Sequence, residues 1–242
     1  MVFDSDSFVF QAPSTIARAR RVLIKPTAGC SSQYPVTTSR QMMASIIAGI
    51  RKISEADILI LDGSFSGSSI APIYKDLGYD FPRVLTLDVR DTTLVEVENP
   101  LLKPLAVPTF MLPNVILSSD YLISVAPLKV IGGYGRLSIS NLLGLVPTNK
   151  PGNGEGKSLE DFNSLGIEKV LTDLYYTMPF DLGIIEATQK FTCASESGEG
   201  TCERVGKVFV GDPYKVDAEA STALGIKSDY LKLIDEAKAE LE

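Results

Sequence analysis

Short apolar runs that end in a charged or polar residue recur along this chain, and segments with helical spacing separate several of them. Residues 20–26, 57–64 and 120–127 are three such runs, each leading into a loop. Runs of this length are typical of strands buried on both faces of a parallel sheet. Strand, helix, strand is also the order that builds α/β folds. The sequence therefore predicts an α/β fold with a mostly parallel or mixed central sheet and helices on both faces.

The length of 242 residues fits a single α/β domain over residues 1–242. Two segments interrupt the pattern. Four prolines between about 92 and 113 predict an irregular excursion from the main sheet. Glycines and lysines in residues 148–157 predict a mobile loop. Apolar residues over 137–145 indicate a helix between these two segments.

The charge balance restricts the partners. The chain has 30 acidic and 23 basic residues, a net charge of −7. A surface with this excess of negative charge repels phosphate backbones and anionic lipid headgroups. We therefore expect no nucleic-acid partner and no membrane partner. Residues 1–10 carry Asp4 and Asp6 rather than the basic and apolar pattern of a signal peptide, and no stretch approaches the length of a membrane span, so we expect a cytoplasmic location.

The chain contains no histidine and only three cysteines, Cys30, Cys193 and Cys202. Without histidine there is no Ser-His-Asp triad and no imidazole proton shuttle. Three thiols and no imidazole are also too few conventional ligands for an iron–sulfur cluster or a structural zinc, so we expect neither. A turn-rich stretch separates Cys193 from Cys202, which makes a disulfide feasible, although a cytosolic location favours two reduced thiols.

Charged residues follow several predicted strands, among them Lys25, Asp62 and Lys129. Loops that leave the carboxyl ends of parallel strands converge on one crevice, where α/β proteins bind ligands. Taken singly, each residue is better explained as a solvated loop charge or a helix cap than as part of a site. After Lys129 come a glycine-rich turn and Arg136, an arrangement that offers positive charge and backbone N–H groups to an anion. The glycines are also explained by a tight connection alone.

Three further polar residues need partners. Asn141 lies in an apolar stretch, where a buried amide requires hydrogen bonds from the protein or from a ligand. Asp212 precedes a proline, the signature of a helix N-cap, which explains it without a ligand. Asp217 lies on a face of small residues, and a carboxylate there needs a partner such as a lysine, a metal or a ligand hydroxyl.

Together these motifs resemble the prokaryotic family called domain of unknown function 362, over nearly the whole chain. Each motif is weak alone, but their order and spacing make the resemblance specific. The residues that carry it include Ile24-Lys25-Pro26, Tyr34-Pro35-Val36-Thr37-Thr38, Asp62-Gly63-Ser64, Pro127-Leu128-Lys129, Asn141-Leu142-Leu143-Gly144, Asp173-Leu174, Gly211-Asp212-Pro213 and Val216-Asp217-Ala218.

The resemblance implies a link to iron–sulfur or ferredoxin-associated proteins, but this chain departs from the family pattern. It has Thr27 where the family usually has asparagine, Val130 and Ile131 where a histidine is usual, and Ser140 where a lysine is usual. The cysteine-rich segment of cluster-bearing members is absent. The family is also distantly similar to the nickel-pincer lactate racemases, whose chemistry uses histidines that this chain lacks.

Two hypotheses for the function follow. In the first, the protein is an enzyme or a cofactor-handling protein that binds a small molecule bearing a carboxylate or phosphate in a cleft at the carboxyl edge of the sheet, where Lys25 and Lys129 hold the anion. Asp62, Asp212 and Asp217 then supply a base or the ligands of a hard cation, with Asp212 and Asp217 as the candidate ligands of Mg²⁺ or Mn²⁺. In the second, it is a non-catalytic accessory module for a ferredoxin-like redox partner. The sequence assigns neither a reaction nor an oligomeric state. The residues predicted to converge on the cleft are Lys25, Asp62, Ser64, Lys129, Asn141, Asp212 and Asp217.

Overall fold

The computed structural model describes residues 1–64, 67–147, 159–195 and 199–241. The loop predicted at about 148–157 lies outside these residues. The strands are β1 (Val2–Asp4), β2 (Arg21–Pro26), β3 (Asp57–Asp62), β4 (Val84–Asp88), β5 (Leu94–Glu98), β6 (Thr109–Pro113), β7 (Tyr121–Ile131), β8 (Tyr134–Arg136), β9 (Leu182–Cys193) and β10 (Gly200–Gly211). The α-helices are α1 (Arg40–Arg51), α2 (Ala71–Asp76), α3 (Asn114–Leu117), α4 (Leu159–Leu165), α5 (Ile167–Thr177), α6 (Pro213–Leu224) and α7 (Tyr230–Leu241).

The main sheet is mixed, with the strand order β1-β10-β9-β7-β2-β3-β4. Strands β9, β7, β2, β3 and β4 are mutually parallel. Strand β10 runs antiparallel to β9, β1 runs antiparallel to β10, and the short β8 folds back antiparallel on the end of β7. The predicted α/β fold with a mixed central sheet is therefore confirmed.

Apolar side chains cover both faces of this sheet because the parallel strands have few polar residues within them. On one face, Val22 and Ile24 pack with the buried sides of α1 and α2. On the other face, Leu23 packs with α5, α7 and a 3₁₀ helix at Ser140–Leu145. A smaller cluster joins α6 to β9 and β10. Helices thus lie on both faces, as predicted.

The helix indicated over 137–145 is instead the 3₁₀ helix Ser140–Leu145. Its residues Ser140, Leu142, Leu143, Gly144 and Leu145 are buried. Apolar spacing over so few residues does not separate a 3₁₀ turn from an α-helix. This short helix brings the backbone close to the ends of β2 and β3.

The proline-containing segment forms a separate two-stranded antiparallel sheet from β5 and β6. Asp173 of α5 is fully buried, and its carboxylate accepts backbone N–H bonds from Leu105, Ala106 and Val107 at 2.7–2.9 Å. A carboxylate with three such donors is well satisfied. Asp173 thus links α5 to the segment that connects β5 and β6.

The β9–β10 ladder places Cys193 opposite Gly200 and Cys202 opposite Phe191. The two cysteines are therefore not direct cross-strand neighbours, and both are thiols in the structure. Within the described residues, no helix is both long enough and apolar enough to span a bilayer.

Candidate functional site

A buried ion pair lies where the parallel strands β2 and β3 end. Lys25 Nζ is 2.7 Å from Asp62 Oδ1, and each side chain is only 2% exposed. The same ammonium donates to Asn141 Oδ1 at 2.9 Å and to the carbonyl oxygen of Pro26 at 2.7 Å. An ammonium has three donor hydrogens. All three donors of Lys25 are therefore used within the protein.

Asn141 cross-links the 3₁₀ helix to β2 and β7. Its amide nitrogen donates to the carbonyl oxygen of Lys25 at 3.0 Å and to Ser124 Oγ at 3.1 Å. Its amide oxygen accepts hydrogen bonds from Lys25 Nζ and, at 2.8 Å, from Thr27 Oγ1. The sequence left a structural role and a ligand contact open for this residue. These bonds give Asn141 a structural role, and the ligand contact stays a prediction.

The carboxylate of Asp62 also accepts backbone N–H bonds, from Ala28 at 2.7 Å and from Gly63 at 2.9 Å. Burial lowers the pKa of Lys25 and raises the pKa of Asp62, while their mutual attraction opposes both shifts. The neighbouring charge of Lys129 lowers the pKa of Lys25 further. A buried pair this well hydrogen-bonded rigidifies the strand ends on which it lies.

The Asn141-to-Gly144 motif ends in glycine because the backbone at this position lies directly against the ion pair. A Cβ atom at this position would lie 2.5 Å from Asp62 Oδ1 and 2.8 Å from Lys25 Nζ. Both distances are far below van der Waals contact. The 3₁₀ backbone therefore approaches the ion pair so closely that no side chain fits.

A cavity of about 50 Å³ opens beside this network. Lys25, Asp62, Lys129, Asn141 and Arg136 contribute to its lining. Lys129 on β7 and Arg136 on β8 are direct partners in the antiparallel ladder. Because cross-strand partners on one face of a sheet lie close together, these two side chains place two positive charges on the same part of the wall. The cavity wall thus has a concentration of positive charge in an acidic protein.

The structure corrects the predicted position of Asp212. This residue is exposed, and its carboxylate accepts the backbone N–H of Lys215 at 3.1 Å as the N-cap of α6. Because β10 runs antiparallel to β9, Gly211 pairs with Gly183 at the start of β9. Through Gly183 and Ser124 the end of β10 lies level with Lys25, but β9 and β7 separate it from β2, and Asp212 does not line the cavity.

Asp217 also lies outside the cavity, which corrects the second acidic residue of the predicted site. It is fully buried and accepts backbone N–H bonds from Ser138 and Ile139, both at 2.9 Å, and hydroxyl bonds from Ser138 at 2.6 Å and Tyr230 at 2.8 Å. Four donors occupy its two oxygens, and burial raises its pKa to about 6. Asp217 holds the chain that leads into the 3₁₀ helix, behind the cavity wall.

Ser64 is buried in the loop after β3, with its Oγ 3.2 Å from that of Ser68, and it is not part of the cavity lining. Of the seven residues predicted to converge, the cavity therefore brings together Lys25, Asp62, Lys129 and Asn141. Over the parts of the chain that the structure covers, no group of three or more cysteine, aspartate or glutamate side chains is placed to hold a metal ion. The two predicted ligands of Mg²⁺ or Mn²⁺ have partners within the protein. Asp212 caps α6, and Asp217 accepts hydrogen bonds from Ser138, Ile139 and Tyr230.

Glu186 is a buried carboxyl group that the sequence prediction of the site omitted. Its two oxygens accept hydrogen bonds from the backbone N–H of Ser39, at 2.9 Å, and from the Ser39 hydroxyl. Ser39 is the N-cap of α1. Burial raises the pKa of Glu186 to about 7. This contact joins β9 to the start of α1. The two residues are 147 positions apart, so only the structure shows that they meet.

We expect Glu186 to make the stability depend on pH. Its pKa in the folded state lies above its ordinary value of 4.5, so the stabilisation from the protonated form is present below about pH 4.5 and is lost as pH rises through about 7. Urea unfolding measures the free energy of unfolding of the wild type and of Glu186→Gln. The difference between these two values should change by about 1–3 kcal/mol between pH 4.5 and pH 8. Glu203→Gln, on an exposed residue, is the control. A constant difference between wild type and Glu186→Gln would contradict this role.

Comparison with known proteins places the chain in a family. The family model described as Domain of unknown function (DUF362) matches residues 22–222. The chain therefore belongs to this family, and the matched region includes every residue of the cavity described above. A search of curated proteins found no match.

Among solved structures, the chain is similar to the lactate racemase apoprotein from Thermoanaerobacterium thermosaccharolyticum. The TM-score is 0.54 and the sequence identity 13%, over 91% of this chain and 53% of the racemase chain. At this identity the match shows a shared fold. The chain spans about half the length of that protein.

Proposed function

We propose that this protein binds a small organic or inorganic anion, bearing a carboxylate or phosphate, in the cavity beside the Lys25–Asp62 pair. The observation that carries the proposal is the direct pairing of Lys129 with Arg136 in a ladder that lines this cavity. The anion lies between the ammonium and the guanidinium, because both donate charge-assisted hydrogen bonds. The role is binding, and no reaction is assigned to it.

The surroundings support this assignment in two ways. Lys25 and Asp62 neutralise each other, so the buried carboxylate adds no net negative charge to the cavity wall. The cavity also lies beside the carboxyl ends of β2 and β3, the edge at which open α/β sheets bind ligands. Lys25 acts here by holding the wall in place, because its three donors are used by the protein.

The proposal predicts that anions stabilise the wild type and not its cavity variants. Phosphate, sulfate and acetate, titrated at constant ionic strength against chloride, should raise the melting temperature of the wild type by mass action. Lys129→Gln and Arg136→Gln should each weaken the apparent affinity at least tenfold, consistent with the loss of one charge-assisted contact.

Lys207→Gln is the matched control, since Lys207 is exposed on β10 away from the cavity lining. It should retain the wild-type response. If all four proteins respond equally, the stabilisation is a general salt effect and the site is wrong. If none responds, the alternative of an accessory module for a ferredoxin-like partner becomes the better account, and co-purification with such a partner tests it.

A further inference from the structure

Residues 27–38, which connect β2 to α1 and are called the wall segment here, supply part of the cavity lining. Thr27 and Gly29 line the cavity. The backbone N–H of Thr27 donates to Thr38 Oγ1, and the backbone N–H of Thr38 donates to the carbonyl oxygen of Thr27, both at 2.9 Å. Thr27 Oγ1 also donates to Asn141 Oδ1, another group of the lining, at 2.8 Å. The position of Thr38 therefore fixes the position of this part of the wall.

Glu186 on β9 holds the base of the wall segment. Its carboxyl group accepts hydrogen bonds from the backbone N–H and the hydroxyl of Ser39, the residue that follows Thr38. The Ser39 hydroxyl in turn accepts the backbone N–H of Met42 as the N-cap of α1. A movement at Glu186 thus reaches Thr38 across a single peptide bond.

A bulge in β9 holds the middle of the same segment. The β7–β9 pairing shifts after Glu186, so that residues 187–189 bulge out of this ladder. The backbone N–H of Gln189, within the bulge, donates to the hydroxyl oxygen of Tyr34 at 2.8 Å. One short stretch of β9 therefore contacts the wall segment at two places.

The surroundings of Glu186 disfavour its charged form. The residue is only 5% exposed, and among the residues that the structure describes no lysine or arginine forms an ion pair with it. The titratable groups that interact with it electrostatically are the phenols of Tyr34 and Tyr79, whose pKa values are raised first by burial and then by the charge of Glu186. Tyr79 also donates to the carbonyl oxygen of Thr38 at 2.6 Å. Because both phenols are neutral near pH 7, the two hydrogen bonds from Ser39 alone oppose the cost of burying the carboxylate.

We propose that Glu186 is a positioning residue of the anion site, and that its ionisation releases the wall segment and weakens anion binding. This inference rests on the anion binding proposed above. An ionised carboxylate regains hydration when it leaves Ser39, and Thr38 and Thr27 then lose the contact that fixes them. The released arrangement binds the anion less well, so the apparent affinity follows the fraction of protein in the anchored arrangement.

The sign of the pH dependence follows from burial. The pKa of Glu186 is about 7 in the anchored arrangement and returns toward its ordinary value of 4.5 when the carboxyl group reaches solvent. The anchored arrangement is therefore fully favoured below about pH 4.5 and is lost as pH rises through about 7. The chain has no histidine, so few other side chains titrate in this range.

Calorimetric titration with sulfate at constant ionic strength tests this inference, because sulfate stays a dianion from pH 6 to pH 8. The ratio of anchored to released protein falls by up to about tenfold for each pH unit above the pKa, and the wild-type affinity should fall at least about threefold over this range. Glu186→Gln keeps the shape of the side chain without a charge. At pH 8 it should bind sulfate about as tightly as the wild type does at pH 6, a gain that a merely structural role would not produce.

Two further variants complete the test. Tyr34→Phe removes the acceptor of Gln189, and it should weaken sulfate binding at both pH values while keeping the pH dependence. Glu203→Gln, on an exposed residue, should behave as the wild type. Asp217, whose pKa is about 6, is present in every protein, so the comparison with Glu186→Gln isolates Glu186.

The outcomes separate this inference from the proposed function. If the wild-type affinity for sulfate is the same at pH 6 and pH 8, or if Glu186→Gln shows the same fall as the wild type, the positioning role is wrong and anion binding stands. If sulfate binds to none of these proteins at either pH, the proposed function fails as well.

Discussion

Replacing Asp62 by alanine is expected to lower the free energy of unfolding by about 3–5 kcal/mol, the range for removing one partner of a buried ion pair. The variant leaves the ammonium of Lys25 with 2% exposure and without its counter-ion. It also leaves the backbone N–H groups of Ala28 and Gly63 without their acceptor. Urea unfolding monitored by circular dichroism measures this loss.

A double variant separates the charge effect from the loss of packing. Lys25→Met combined with Asp62→Leu removes both charges, and it should be more stable than Asp62→Ala because no buried charge is left unpaired. Glu55→Ala is the surface control, since the Glu55–Arg83 pair is exposed and should contribute little. An Asp62→Ala variant as stable as Glu55→Ala would show that the buried pair does not stabilise the strand ends.

Replacing Gly144 by alanine is the second change with a large expected effect. The added methyl group would overlap Asp62 Oδ1 and Lys25 Nζ, so either the ion pair or the 3₁₀ helix must move. Overpacking of this kind destabilises by about 1–3 kcal/mol or more. Because the displaced helix forms one wall of the cavity, the variant should also lose the stabilisation by anions.

Gly211→Ala is the matched control for this change. Its added Cβ would meet Val216 Cγ2 at 3.3 Å, a tight contact with a side chain rather than a clash with a buried ion pair. It should unfold at a urea concentration closer to that of the wild type and keep the response to anions. If Gly144→Ala retains wild-type stability and the anion response, neither stability nor anion binding requires the close approach of the 3₁₀ helix to the ion pair.

Part of the site could be predicted because parallel strands bring their ends to one edge. Lys25 and Asp62 each follow an apolar run, and β2 pairs directly with β3, so their side chains meet. The sequence did not show that they bind each other. Their direct pairing depends on burial by the 3₁₀ helix. Only the structure shows this burial, because it places Gly144 against both side chains.

The acidic residues of the second half were misplaced for a physical reason. An apolar run does not give the position of its strand in the sheet, and β9 and β7 separate β10 from β2. Asp212 is the N-cap of α6, which is the simpler explanation that the Asp-Pro sequence already allowed. Asp217 does have the partners that a buried carboxylate needs, but they are Ser138, Ile139 and Tyr230 rather than a ligand.

The central claim is that an anion binds between Lys129 and Arg136, and a crystal structure determined with propionate tests it most directly. We expect density for the carboxylate within hydrogen-bond distance of Lys129 Nζ and of the Arg136 guanidinium. The same crystals of Lys129→Gln should lack this density. Propionate bound elsewhere on the protein, or the same occupancy in Lys129→Gln, would contradict the account.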